Sequence, residues 1–174
     1  AIWYQAESNC GRGEDPRDYR HKQRALVQGW RQAWNNENLP FFYVQLPQWK
    51  SYAWTYAREE QLQAMQVDGT GMAVTIDLDN ASDIHPPNKI DVGERLARWP
   101  LAKVYGKKIP FSGPLFRDVN VRDAEVVVRF DYAKEGLMVG HIEGVGKIVE
   151  AKDGVLHGFE LVGEDGVWHP AKAK

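Results

Sequence analysis

Leu39-Pro40-Phe41-Phe42-Tyr43-Val44-Gln45-Leu46 is the stretch that decides the fold. Its apolar run is too continuous for a strand with one face in water, which would alternate apolar and polar residues. A strand that is covered on both faces is typical of the interior of a parallel sheet. The stretch therefore predicts a central parallel strand, which Pro47 closes.

Strands and helices alternate on both sides of this strand, which indicates an α/β fold with helices that cross over a parallel sheet. Pro100 should kink the last helix or split it in two. The other predicted elements are a short buried strand over residues 1–5, a helix that begins at Asp15-Pro16 with Tyr19, Leu26, Trp30 and Trp34 on its apolar face, a helix over 54–65, a strand over 72–76 and a helix over 88–105.

The pattern changes after Gly106, where prolines and glycines separate shorter apolar runs. Residues 1–109 are thus predicted to form an α/β domain, and residues 110–174 a small antiparallel β-module. The strands predicted in that module cover residues 125–130, 137–139, 147–150, 156–162 and 167–169.

The composition excludes several classes of function. The net charge is −2 and no basic run stands out, so nucleic acid is not expected as a partner. No stretch approaches the ~18 apolar residues of a membrane span. Cys10 is the only cysteine, so neither an intrachain disulfide nor a thiolate zinc site is expected.

Asp83 and His85 lie two positions apart, between the third predicted strand and the third helix. A carboxylate can fix the tautomer of a neighbouring imidazole and stabilise its protonated form, as in a hydrolytic triad. The loop follows the carboxyl end of a strand, where ligands bind in α/β folds. The alternative interpretation is a solvated loop with a helix cap.

Polar residues follow the first strand at the same edge of the predicted sheet: Gln5, Glu7, Ser8 and Asn9. Their amide and N–H groups could stabilise an oxyanion during acyl transfer, or they could form only a polar turn. Arg58 and Gln61, near the start of the second helix, could reach the same face or be solvated.

A cation site would need oxygen ligands, which Asp77, Asp79 and Asp83 could supply. Their spacing does not follow the EF-hand pattern, since it has no central glycine and no closing glutamate. Metal binding is therefore not expected.

Several blocks, in the same order, resemble the sialate O-acetylesterase family, a branch of the SGNH (GDSL-like) hydrolases. The family has Trp-Tyr-Gln-Gly-Glu-Ser-Asn where this chain has Trp3-Tyr4-Gln5-Ala6-Glu7-Ser8-Asn9. The other blocks that resemble it are Phe42-Tyr43-Val44-Gln45-Leu46, Arg58-Glu59-Glu60-Gln61, Gly71 to Asp77, Asp83-Ile84-His85-Pro86, Val92-Gly93-x-Arg95-Leu96 and Gly158-Phe159-Glu160-Leu161.

The resemblance implies a flavodoxin-like sheet and an esterase that removes O-acetyl groups from a sugar, either sialic acid or a plant-type polysaccharide. His85 would be general base and then general acid, and Asp83 would orient it. The Gln5–Asn9 loop would contribute to the oxyanion hole or acetyl pocket, and Arg58 to substrate binding. No metal or organic cofactor is implied, and a secreted or periplasmic location is favoured.

Two departures from the family bear on activity. The family's nucleophile block lies upstream of its Trp-Tyr-Gln segment. The serines of this chain are not in that motif; they are Ser8, Ser51, Ser82 and Ser112. The second departure is Ala6, where the family has glycine. Its methyl group could crowd the acetyl site, or it could block a turn that requires a positive φ.

The chain begins without Met inside a predicted buried strand, which is typical of a fragment or a processed subunit. We therefore expect the chain to be the C-terminal part of an esterase, inactive by itself. The alternative is a non-catalytic carbohydrate-binding or interaction module derived from such an enzyme. An unpaired sheet edge would favour self-association, or pairing with a missing N-terminal portion.

Overall fold

A computed structural model of the chain describes residues 1–78, 83–85, 87–123, 125–146, 148–152, 154–156 and 158–173. The chain divides into two compact units, Ala1–Tyr132 and Ala133–Lys174. The boundary expected after residue 109 lies within the first unit. No helix in the described part of the chain is long and apolar enough to cross a membrane.

The first unit contains a parallel sheet of three strands in the order β1-β2-β3. These strands are β1 (Ile2–Trp3), β2 (Phe41–Val44) and β3 (Thr70–Ala73). All four residues of β2 are buried, since it lies between its neighbours and carries helices on both faces. The predicted central parallel strand is therefore confirmed.

Two predictions for the flanking strands are wrong. The first strand is not buried: β1 lies at the edge of the sheet, and Ile2 is 68% exposed. The third strand begins earlier than expected and ends at Ala73, and both Val74 and Ile76 are exposed. Apolar content alone does not show whether a strand has a neighbour on both sides.

Three helices connect and follow these strands: α1 (Tyr19–Ala33), α2 (Ala53–Gln63) and α3 (Lys89–Lys103). The predicted start of the first helix is confirmed, because the Asp15 carboxylate accepts a hydrogen bond from the Arg17 N–H and Pro16 opens a 3-10 turn that leads into α1. The predicted splitting of α3 does not occur. Pro100 lies in its last turn, where it removes one intrahelical hydrogen bond.

The buried face of α1 carries Tyr19, Gln23 and Val27, at helical spacing. Leu26 and Trp30 are half-buried and pack beside it. Trp34, predicted on this face, is 70% exposed because it caps the C-terminus of the helix.

Side chains of the sheet alternate between two faces. Phe41, Tyr43 and Met72 form one core cluster with Val27 of α1. On the opposite face, α3 lies so close to β3 that a Cβ on Gly71 would fall 2.4 Å from the Trp99 ring. The Trp99 indole N–H donates to the Met72 carbonyl at 2.8 Å, which fixes α3 against the strand.

An antiparallel hairpin ends the first unit, with strands β4 (Leu115–Arg122) and β5 (Glu125–Asp131). The first of these strands was not predicted, because Arg117, Asp118 and Asn120 interrupt its apolar residues. Phe111 packs between Trp99 and Tyr132, with ring centroids 4.9 and 5.0 Å away, so an aromatic cluster connects the hairpin to α3.

The second unit contains two antiparallel pairs of short strands. Glycine turns join them, and Gly166 adopts a positive φ of 70° in one of these turns. The strand predicted over residues 137–139 is wrong, since the first strand of this unit begins at Gly140. Lys147 and Asp153 lie outside the described residues. The four strands are β6 (Gly140–Ile142), β7 (Ile148–Glu150), β8 (Glu160–Val162) and β9 (Trp168–Pro170). The predicted α/β sheet followed by small antiparallel sheets is therefore confirmed.

Candidate active site

The loops that follow the three parallel strands all begin at the carboxyl ends of these strands, which lie along one edge of the sheet. The chain leaves β1 into a 3-10 turn over Glu7–Cys10, leaves β2 through Gln45 to Pro47, and leaves β3 toward Asp83 and His85. Because carboxyl ends of parallel strands share an edge, the polar groups predicted from the sequence belong to one region.

A buried amide connects the first two of these loops. Gln61 of α2 is 1% exposed, and its Oε1 accepts from the Leu46 N–H at 2.9 Å. Its Nε2 donates to the carbonyls of Val44 at 3.3 Å and Gln5 at 3.5 Å. The Tyr19 hydroxyl also donates to the Gln5 carbonyl, at 2.7 Å. The start of the Gln5–Asn9 turn is thus anchored to the end of β2.

Apolar packing brings the Asp83–His85 loop to the same place. Ile84 packs against a core cluster that includes Ala6, Leu46 and Trp54. The start of α3 also lies close to the residue that follows β1, since the Lys89 ammonium lies 5.2 Å from the centre of the Tyr4 ring. The loop thus packs, through Ile84, on the cluster that contains Ala6 of the amino-terminal turn.

Ala6 fits its position without backbone strain. It is fully buried in that cluster, and its φ of 175° is extended backbone that any residue can adopt. The alanine is therefore compatible with this turn, and the concern that it blocks a positive φ does not apply.

The Asp83 carboxylate contacts His85 twice. Its Oδ1 accepts from the His85 backbone N–H at 2.8 Å and lies 3.3 Å from Nδ1 of the ring. Both side chains face solvent, with 80% of His85 and 59% of Asp83 exposed. The helix cap considered as an alternative is made by another residue, because Asn88 accepts from the Asp91 N–H at the start of α3. The Asp83 carboxylate thus lies on the Nδ1 side of the imidazole.

The Gln5–Asn9 turn satisfies many of its own polar groups. Glu7 accepts from the Ala6 N–H at 2.8 Å, and Gln5 donates its amide to the Asn9 side-chain carbonyl at 3.0 Å. The Asn9 amide nitrogen makes a longer contact of 3.4 Å to Glu14. Ser8 is exposed. Of these three hydrogen bonds, the one that the Asn9 amide donates is the longest.

Arg58 is half-buried at this edge. Its guanidinium donates to the Pro47 carbonyl at 3.2 Å, and it forms no ion pair with a carboxylate of the described residues. Burial lowers the pKa of Arg58 from its ordinary value. A partly buried cation without a counter-ion is suited to bind an anionic group.

Arg95 and Gln61 support the site: Gln61 was one of the residues expected to reach this face, whereas Arg95 was not singled out in the sequence. Arg95 binds both oxygens of Asp77, at 2.6 and 2.8 Å, and the Val74 carbonyl, so it holds the chain beyond β3. Asp77 is therefore committed to an ion pair, while Asp79 lies outside the described residues, as do Ser82 and Pro86. The signal that points to Arg95 and Gln61 is their place in the blocks that resemble the family, Val92-Gly93-x-Arg95-Leu96 and Arg58-Glu59-Glu60-Gln61.

A family model for carbohydrate esterases, described as sialic acid-specific acetylesterase, matches residues 1–101. The chain belongs to this acetylesterase family. No curated protein matches the chain. Among solved structures, XAC1771, a carbohydrate acetylesterase from Xanthomonas citri, matches with a TM-score of 0.82 and 33% sequence identity. The match covers 99% of this chain and 39% of that chain, so the sequence spans about two fifths of its solved relative.

Membership confirms the resemblance and the fold class read from the sequence. The match to the acetylesterase family extends from β1 nearly to the end of α3, and it contains all of the candidate site residues. The solved acetylesterase also matches the antiparallel strands that follow.

Proposed function

We propose that the chain supplies the acid–base half of a serine esterase that removes O-acetyl groups from a sialate-type or other carbohydrate. The supporting observation is the contact of Asp83 with His85, on a loop whose Ile84 packs against the core cluster that contains Ala6 of the Gln5–Asn9 turn. Family membership supports the reaction class. The nucleophilic serine is proposed to lie outside these 174 residues.

In this mechanism, Nε2 of His85 accepts the proton of the serine hydroxyl as its oxygen attacks the acetyl carbonyl carbon. The protonated ring then gives this proton to the sugar oxygen, and the bond from that oxygen to the acetyl carbon breaks. Water attacks the acetyl-enzyme with His85 again as base, which releases acetate and restores the serine. Asp83 stabilises the imidazolium in both steps.

The Gln5–Asn9 turn is proposed to stabilise the oxyanion of each tetrahedral intermediate. Asn9 is the preferred side-chain donor, because its present contact to Glu14 is long. Gln5, Glu7 and Ser8 shape the turn through their hydrogen bonds or their position.

Arg58 is proposed to bind the substrate. A half-buried guanidinium that has no carboxylate partner in the described chain matches the carboxylate of a sialate-type sugar. An acidic O-acetylated sugar would therefore be preferred to a neutral one.

The missing catalytic part is also the proposed partner. β1 is an edge strand with an exposed Ile2, so a further strand could pair with it, either from an N-terminal portion or from a second copy. We also propose that residues 1–109 form the esterase part of the chain and residues 110–174 a β-module.

The test compares the 174-residue chain with a longer protein that contains it, using 4-nitrophenyl acetate and an O-acetylated sialic acid. The longer protein should release acetate, and His85→Ala should reduce kcat by at least about 10³-fold. His169→Ala, at an exposed histidine of β9, is the matched control and should change little. The isolated chain should be inactive.

Hydrolysis by the isolated chain that His85→Ala removes would overturn the proposed position of the nucleophile. A longer protein that binds acetylated sugar without hydrolysing it would instead favour the non-catalytic module.

A further inference from the structure

A groove whose lining contains none of the candidate site residues lies between α1 and the end of α2. Its volume is about 480 Å³, and Ala64 and Val67 contribute to its apolar lining. Arginine and glutamine side chains contribute most of the rest. The polar residues used in the argument below are Arg20, Arg24, Gln28, Arg31, Gln63 and Gln66.

The charge of this groove is opposite in sign to that of the chain. Three arginines line it against one aspartate, Asp68, whereas the net charge of the chain is −2. Glu60 balances Arg20 at 3.1 Å. Arg31 donates to the main-chain carbonyls of Leu39 and Asp68, which hold the side chain but do not neutralise it.

Arg24 differs from the other two arginines. It is exposed, and it forms no hydrogen bond or ion pair within the described part of the chain. Its guanidinium is therefore available to a ligand, and its replacement removes no contact that supports the fold.

The groove follows the length of α1. Arg20 is next to Tyr19, which contacts Gln5 at the candidate active site, whereas Arg31 contacts the segments that precede β2 and β3. The distance from position 20 to position 31 along a helix is about 16 Å, which several sugar rings can span. Side-chain amides pair well with hydroxyl groups, and guanidinium groups with carboxylates.

We infer that this groove binds an acidic oligosaccharide at a site separate from the catalytic edge. Carboxylates would pair with Arg24 and Arg31, and sugar hydroxyls with the glutamine amides. The choice of a sugar as the hydroxyl-bearing ligand rests on the proposed function, whereas the anion site itself rests on the groove alone.

The test uses the 174-residue chain and requires no esterase activity. Trigalacturonate is titrated while backbone amide shifts are followed by NMR, and a neutral trisaccharide, inorganic sulfate and a short oligothymidylate are titrated in parallel. We expect trigalacturonate to shift the amides of Arg24, Gln28 and Gln66 and the neutral sugar to shift none of them. Arg24→Gln should weaken binding roughly three- to tenfold.

The matched control is Arg12→Gln, which removes the same charge from an exposed turn outside the groove and should leave the affinity unchanged. Circular dichroism verifies that both variants are folded. Equal loss in the two variants, or equal binding of the neutral sugar, overturns the inference. Sulfate that binds as tightly as trigalacturonate would mean an adventitious ion only, and this result also overturns the inference. Tighter binding of the oligonucleotide than of trigalacturonate overturns it as well. A longer protein that binds trigalacturonate in this groove but hydrolyses no acetyl ester would contradict the proposed function and leave the groove inference intact.

Discussion

Replacing Gln61 with methionine tests whether one buried amide supports the site. Methionine retains the length of the side chain but can neither accept from the Leu46 N–H nor donate to the carbonyls of Val44 and Gln5. A buried N–H group that loses its acceptor costs about 1–3 kcal/mol, and the two carbonyls lose longer, weaker contacts. The Gln5 carbonyl retains Tyr19 as a donor.

We therefore expect Gln61→Met to lower the free energy of unfolding by about 2–4 kcal/mol. At roughly 2–4 °C per kcal/mol for a chain of this size, Tm should fall by roughly 4–16 °C. Urea unfolding followed by circular dichroism measures the loss. Amide hydrogen exchange at Leu46, which should become faster, locates it.

Gln63→Met is the matched control, two positions along the same helix. Among the residues that the structure describes, the Gln63 side chain bonds only to the exposed side chains of Glu59 and Gln66, so a change within about 0.5 kcal/mol is expected. The reasoning is refuted if Gln61→Met is folded and its unfolding free energy lies within that same range of the wild type.

Two further predictions concern packing and thiol chemistry. Gly71→Ala should destabilise the chain by about 1–3 kcal/mol, because the added methyl group would meet the Trp99 ring. Gly93→Ala, in the interior of α3 with open space around it, should stabilise the chain by about 0.5–1 kcal/mol. Equal effects of the two variants in chemical unfolding would contradict this prediction. Burial raises the pKa of the Cys10 thiol to about 11, so the thiolate is scarce at pH 8. Alkylation by iodoacetamide should accordingly be slow in the folded chain and rise steadily from pH 8 to 10, and a rate that levels off below pH 9 would contradict the raised pKa.

The sequence predicted the parts of the fold that depend on local pattern. Phe41 to Val44 carry their own evidence for a central strand, because only an element covered on both faces tolerates such a run. The helix start at Asp15 and Pro16 is equally local. Ile2 was misjudged because its burial depends on whether a strand lies beyond β1, which its own residues do not encode.

The supporting contacts of the site were harder to predict for a similar reason. Gln61 is a polar residue on a helix, and its burial depends on hydrogen bonds to Leu46, Val44 and Gln5, which are distant in the sequence. The basic groove was missed because Arg20, Arg24 and Arg31 are separated by four and seven positions, and no run of positive charge results. Helical spacing places them together on one side of α1.

The division between buried support and exposed chemistry bears on why this chain alone should be inactive. A polar contact that is open to solvent stabilises a side chain only weakly. Asp83 therefore holds the His85 ring, which is 80% exposed, only weakly. The turn beside it is, by contrast, anchored through the Gln5 carbonyl by Tyr19 and Gln61. A segment that brings the nucleophile to this edge would also exclude water from His85 and strengthen its interaction with Asp83. The proposed second part of the enzyme thus has two roles, as the source of the serine and as the cover that makes the acid–base pair effective.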